Sequence, residues 1–346
     1  MPLTVQRLLI SLAVLALLVA IAPVAAQSSS TPGRVEVPVD SDSDAARASA
    51  AAEGLSRVLA RLTGNPDIAD SAVGRRLRGE AETYLQGFAY REVSAPVDEL
   101  RLLARFDVRR LREALVGAGH PIWPDRPPTV LVWAAVDDAG ERRIVQAGDR
   151  GGLRMQLAEA GAALGIRLLF PIMDLEDMGA ITYSDIAVGF VDPVIAASRR
   201  YGADRVLAGR LMATTADAVA GRWLLADPDA GTARRWQVRA EDTAEAIEAT
   251  AAAMAAELRE AFAYQPDLRA RGRLALAISG IHDLATHDRV VDRLLALSGV
   301  ERVNPVAVGD DRVRFELAIS VEPQRVRDAL ARDERLRPAE DGFRWE

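Results

Sequence analysis

The sequence predicts a multi-domain chain of mixed α+β and α/β class: a ferredoxin-like C-terminal unit, a similar small α/β unit near the N-terminus, and a layered α/β domain between them. Three observations predict it. Short β-branched runs alternate with longer stretches of helical period, a proline-dense interruption falls near residue 120, and the chain from residue 272 onward runs in the order β-α-β-β-α-β. The length of 346 residues also exceeds what one ordinary core serves.

In chain order, residues 35–39 alternate as a strand, and Pro38 places it at a sheet edge or strand end. Ser43 and Asp44 open a long helix whose apolar positions Leu55, Val58, Leu59 and Leu62 share one face, stopped by Gly64-Asn65-Pro66. A second helix is expected over 66–85, then strands over 87–93 and 100–106. Asp107 caps a helix with the face Val108, Leu111, Leu115 and Val116, ended by Gly117-Ala118-Gly119. Residues 120–128 hold four prolines in nine positions, which excludes regular structure and marks a domain boundary.

Beyond it, the continuous apolar run 129–136 suits a strand buried on both faces, followed by a turn at 137–140. A helix over 152–164, a strand over 166–170, a helix over 193–201 and a strand over 204–211 continue the alternation. A hairpin then pairs 222–225 with 235–238, and a helix over 242–264 closes the unit. In the last unit the strands are expected at 274–278, 303–308, 312–320 and near Phe343, with helices over 288–297 and 323–331. The boundaries read as signal 1–26, linker 27–34, first unit 35–119, linker 120–128, middle domain 129–265 and last unit 272–346. Residues 106–115 lie over 321–330 without a gap, with four identities, and the first helices of both end units finish alike at Leu62-Thr63-Gly64 and Leu297-Ser298-Gly299. That agreement fits either a duplication or convergent helix–strand junctions.

Composition removes much chemistry. There is no cysteine and no lysine, so all 43 basic residues are arginine, and only three histidines are present. Disulfides, thiol nucleophiles and cysteine metal sites fall, as do a Walker A clamp and a Schiff-base amine. The basic start at Arg7, the apolar stretch 8–22 and the small-residue site Val24-Ala25-Ala26 read as a secretory signal cleaved between Ala26 and Gln27, with an uncleaved anchor as the alternative. The expected address is the periplasm of a Gram-negative cell, or the exterior, with no transmembrane segment in the mature chain. Losing Arg7 takes the net charge from −7 to −8, which disfavours nucleic acid. Arginine pairs at 75–76, 109–110, 142–143, 199–200 and 234–235 are scattered among acids and read as solvated faces.

The candidate binding residues are carboxylates. Asp174, Glu176 and Asp177 sit just past the carboxyl end of an expected strand, where open α/β sheets bind ligands, and Asp185 or Asp192 would complete an oxygen site for a hard cation. The same residues also suit a helix start, with Asp174 as N-cap, so whether a metal binds stays open. His282-Asp283 and His287-Asp288 repeat a pair at a spacing unsuited to zinc, and Thr286 as N-cap explains part of it. Trp223 and Trp236 are placed to meet across the hairpin, as core or as an aromatic binding face. No Gly-x-Ser-x-Gly elbow occurs, and Gly117-x-Gly119 follows a helix where a dinucleotide loop follows a strand. No catalytic residue and no cofactor are assigned.

Several blocks carry a family resemblance: 58–65 (Val-Leu-Ala-Arg-Leu-Thr-Gly-Asn), Pro121-Ile122-Trp123, 129–133 with Asp137-Asp138, 171–177, and 201–211. On these the chain resembles the uncharacterised proteobacterial envelope family DUF two-zero-six-six, which implies an exported protein of no established activity. The shorter element Tyr201-Gly202-Ala203-Asp204 is similar to a turn in curli-secretion and penicillin-binding-protein-activator modules, which implies binding. The leading expectation is a non-enzymatic binding or scaffolding protein whose partner is an envelope protein or other periplasmic component. The alternatives are a carboxylate- or metal-dependent periplasmic hydrolase near Asp174 and Glu176, and a small-molecule sensor in the middle crevice.

Overall fold

The computed structural model describes residues 32–93, 99–138, 141–150, 152–215, 218–266, 272–309, 311–333, 335–339 and 342–346. The expected signal and most of the linker after it lie outside them, as do Ala139 and Gly140 of the expected turn.

The first sheet has the order β1-β3-β2, all antiparallel, from β1 (Arg34–Val39), β2 (Leu85–Val93) and β3 (Glu99–Phe106). Ser43 caps α1 (Asp44–Thr63) by accepting from the Ala46 amide, and Gly64 ends it at φ +65°. The apolar stripe of α1 packs Leu55, Leu59 and Leu62 against Val37, Leu102 and Leu111, the last from α3 (Val108–Gly117). The second helix is not continuous. It breaks into a 3-10 turn at Pro66–Asp70, α2 (Ala72–Gly79) and a 3-10 turn at Ala81–Tyr84, because the Ser71 hydroxyl takes the Gly74 amide and starts a new helix. The outer edge of β1 is closed by side chains: Arg61 donates to the carbonyls of Pro32 and Arg34, and Arg57 to that of Glu36. With Pro38, these arginines deny that edge to another strand.

The central sheet has the order β5-β4-β7-β8-β9, from β4 (Thr129–Asp138), β5 (Glu141–Ile144), β7 (Arg205–Thr215), β8 (Ala218–Asp227) and β9 (Thr232–Ala240). Thr129–Leu131 of β4 also pair in parallel with β6 (Arg167–Leu169), and Ala135–Asp138 pair with β5. β4 thus runs through Asp137 and Asp138 instead of turning there. β5 escapes the sequence pattern because Glu141, Arg142 and Arg143 give it no apolar run. One face packs Val130, Val132, Leu207 and Leu225 under α4 (Leu153–Ala163) and α8 (Thr243–Phe262). The other packs Leu131, Trp133, Val206 and Leu224 beneath Ile181, Ile186 and Val194, from the region of α5 (Leu175–Ala180), α6 (Tyr183–Val188) and α7 (Val191–Ser198). The apolar run is therefore buried on both faces, as its lack of alternation requires.

The last sheet, order β11-β12-β10-β14-β13, comprises β10 (Gly272–Ser279), β11 (Val300–Val308), β12 (Arg312–Ile319), β13 (Leu336–Ala339) and β14 (Gly342–Trp345). With α9 (Leu284–Leu295) and α10 (Pro323–Ala331) it contains the expected β-α-β-β-α-β order plus one strand: β13 turns back into β14, which lies parallel to β10. α9 starts before its expected position. The Asp283 carboxylate takes the Thr286 amide at 2.6 Å, so Asp283 is the cap and Thr286 is buried in the first turn. The two end units share one path, since β1-β3-β2 and β10-β12-β11 are the same antiparallel order. Segments 106–115 and 321–330 lead into the corresponding helices α3 and α10.

The segment 120–128 forms one isolated bridge, Ile122 with Tyr264, and is packed as a seam. Ile122 enters the core of the first sheet while Trp123 enters that of the central sheet. The Trp123 amide donates to the Leu62 carbonyl and its indole Nε1 to the Leu164 carbonyl, both at 2.8 Å. Two glycines make room: a Cβ on Gly64 would stand 2.2 Å from the indole, and one on Gly165 2.1 Å from the Arg61 carbonyl. Trp123→Ala is expected to lose about 3–5 kcal/mol in urea denaturation. Trp123→Phe keeps most of the volume but strands the Leu164 carbonyl, for a loss of about 1–3 kcal/mol. Equal midpoints for all three proteins would contradict the seam.

Candidate functional site

The carboxylates singled out from the sequence form a clamp. Asp174 is the N-cap of α5, accepting from the Asp177 amide, and both its oxygens meet the Arg200 guanidinium at 2.7 and 2.8 Å. Asp177 is buried. It accepts from the Met173 amide, the Tyr201 hydroxyl and Arg200, and Tyr201 in turn accepts from the Ile172 amide. Burial first, then the Asp177 carboxylate, pushes the Tyr201 hydroxyl up to about 12. This network holds Met173 at φ +55°, a strained value outside glycine. Glu176 reaches Arg200 at 3.5 Å from an exposed position.

Asp185 is used elsewhere, in a capping box with Thr182 at the start of α6, and Asp192 is exposed in the first turn of α7. The structure thus brings Asp174, Glu176 and Asp177 together around Arg200 and leaves Asp185 and Asp192 apart. Just past the carboxyl end of β6 the Ala147 amide donates to the Pro171 carbonyl at 2.8 Å. Among the described residues no group of three or more histidines and carboxylates is arranged to hold a metal ion. Of the histidine pairs, Asp283 is the cap described above, and His287 lies against Asp288 and the Phe315 ring. Trp223 and Trp236 do stand opposite each other, but on the face covered by α8, so they are core and not an aromatic binding face.

A second constellation is not apparent in the sequence. On the face that carries α6 and α7, the sheet also presents four arginines. Arg210 of β7 is directly opposite Arg222 of β8, and Arg222 is opposite Gln237 of β9, which Arg235 and Arg239 flank at two residues on either side. Strand alternation puts all of them on one face. None has an ion-pair partner among the described residues, and the Arg210 Nε is buried without a hydrogen-bond acceptor. By contrast Arg234, on the opposite face, pairs with Glu257 of α8. Arg222, Arg235 and Gln237 line an open cleft of about 200 Å³ whose other wall is the end of α6, Ile186 to Gly189. Arg235 also donates to the Gly189 carbonyl at 3.4 Å. Directly opposed like charges cost roughly 0.2–1 kcal/mol each, so the cluster is an anion-attracting surface kept at some expense in stability. Its signal in the sequence is the spacing Arg235-x-Gln237-x-Arg239 within a strand, but the partners of that face emerge only once the register is known.

Two comparisons bear on the chain. A family model described as "Domain of unknown function (DUF8605)" matches residues 26–124, which include the first sheet with its helices and end at the seam. A protein named as a 5-oxoprolinase subunit, from Streptomyces coelicolor, is 29% identical over 220 residues, covering 62% of this chain and 79% of that protein.

The Asp174–Arg200 pair sets a pH dependence. The guanidinium, by hydrogen bonding, holds the Asp174 carboxyl down at about 2, below its ordinary value of 3.8. A depressed folded value means stability that is present above the ordinary value and lost as pH falls through the folded one. Thermal melts of wild type and Asp174→Asn should therefore differ at pH 7 and draw together as the pH falls from about 4 towards 2. A gap that stays constant over that range would contradict the pairing.

Proposed function

We propose that this chain is an exported, non-enzymatic binding protein of the cell envelope, which docks an anionic envelope component on the open half of its central sheet. The four arginines of β7, β8 and β9, which have no ion-pair partner among the described residues, carry the reading. Guanidinium groups bind carboxylate and phosphate in bidentate fashion, and an unneutralised cluster in a chain of net charge −7 has an anion as its natural complement. The signal-like first 26 residues and the resemblance to DUF two-zero-six-six support the address. The cleft is smaller than the roughly 300–1,000 Å³ of a small-molecule site, which favours a surface partner over a sensed metabolite.

The similarity to the 5-oxoprolinase protein of Streptomyces coelicolor favours a second reading, an enzyme acting on 5-oxoproline. Against it, Asp174 and Asp177 spend their oxygens on Arg200, Tyr201 and backbone amides. Turnover of 5-oxoproline by wild type, abolished in a folded Asp174→Ala protein, would establish that reading in place of the first.

The binding reading is tested on an immobilised polyanion. At pH 7.5 and low salt a protein of pI 5.3 should flow through heparin resin unless a local cluster holds it. Wild type is expected to be retained and to elute as salt rises, and Arg222→Glu/Arg235→Glu to flow through with a melting temperature no lower than that of wild type, since Arg222→Glu sets a carboxylate opposite Arg210 in place of a like charge. Wild type in the flow-through would overturn the proposal.

A further inference from the structure

We infer that the anionic component is the surface of a lipid bilayer, with the end of α6 entering the headgroup region beside the arginine cluster. The inference rests on the binding reading above and goes further by naming the partner.

The exposed apolar side chains point to it. Val188, 65% exposed, lines the same cleft as Arg222 and Arg235, and Phe190, 52% exposed, follows two residues on. In and just before α5, Ile172, Leu175 and Met178 are also exposed, and Leu175 is 85% exposed. Half of the large exposed hydrophobic residues among those described thus fall within residues 172–190. A soluble polyanion offers these side chains nothing. A bilayer interface takes both parts, since apolar groups enter the acyl boundary and neighbouring basic groups meet lipid phosphates.

The shape agrees. The arginines lie on three adjacent strands, an extended face suited to many headgroups at once. Arg222 and Arg235 line one cleft with the end of α6, which carries Val188, and long guanidinium side chains can extend from such a cleft to a surface. The hydrogen bond from Arg235 to the Gly189 carbonyl ties the apolar tip to the cluster. The rest of the chain is net negative and would be repelled by an anionic leaflet, as would Asp174, Glu176 and Asp177 beside Leu175, so the arginines with Val188 and Phe190 lead the approach. Among the described residues no helix is long and apolar enough to cross a membrane, so this contact is peripheral.

The test is co-sedimentation of the full chain with phosphatidylcholine vesicles, with and without phosphatidylglycerol, alongside the heparin column. Wild type should pellet with the phosphatidylglycerol vesicles and stay in solution with phosphatidylcholine alone. Arg222→Glu/Arg235→Glu and, separately, Phe190→Ser should each bind at least about tenfold more weakly. Serine is a favourable residue at the N-cap position Phe190 occupies, so the fold should survive, and Phe190→Ser should keep its heparin retention. Wild type that binds heparin but no vesicle, as a docking site for an acidic protein would, overturns the inference while leaving the binding reading intact. Vesicle binding unchanged by Phe190→Ser overturns it as well. Binding to neither heparin nor vesicles overturns both.

Discussion

One indole ring joins the first sheet to the central one. Ile122 and Trp123 are consecutive, yet each enters a different core, and the prolines around them keep the chain extended so that it can serve both. The two hydrogen bonds of Trp123, one from its amide and one from its ring, end on the last turn of α1 and just beyond α4. Packing and these hydrogen bonds must hold the junction, because the chain has no cysteine to cross-link it. The glycines on either side of the ring show how close the approach is: neither position tolerates a Cβ without displacing the indole or the Arg61 carbonyl.

With the central sheet held in place, its second face is divided. The Asp174–Asp177–Arg200–Tyr201 clamp ties residues 172–177 to the end of α7 and the turn after it, and the helices there cover the rows holding Leu131, Trp133, Ala208 and Leu224. Beside that cover, on the same face, stand Arg210, Arg222 and Arg239, with the end of α6 forming one wall of the cleft that Arg222 lines. The acids first suspected of chemistry thus build the wall, and the arginines beside it form the surface. The two roles are opposite in electrostatic terms. The one guanidinium of the clamp is shared among carboxylates of the chain, whereas those of the cluster have no carboxylate partner among the described residues.

Much of the architecture is legible in the sequence because it rests on local chemistry. Ser43, Asp107 and Asp242 each cap the helix expected to follow them, and the unbroken run after residue 129 marks the doubly buried strand. Competition between local signals is harder to read: Ser71 interrupts an otherwise continuous helical pattern, and Asp283 caps ahead of Thr286. β5 and β13 carry too little apolar pattern to stand out and exist because a partner strand is there to pair with. The arginine cluster is illegible for a different reason. Its members come from three strands, and only the register Arg210–Arg222–Gln237 brings them together. The carboxylates, adjacent in sequence, stand out before any fold is known, although adjacency of that kind is also what a helix start requires.

The central claim is that the open arginine-bearing half of the middle sheet, with the end of α6, is the working surface of the protein. Amide hydrogen exchange of the full chain with and without phosphatidylglycerol vesicles addresses it residue by residue. Slowed exchange confined to β8, β9 and residues 186–190, with the Trp123 seam and the Asp174 clamp unchanged, is the result the account predicts. Protection centred on residues 174–177, or none in β8 and β9 under conditions where the protein is bound, would contradict it.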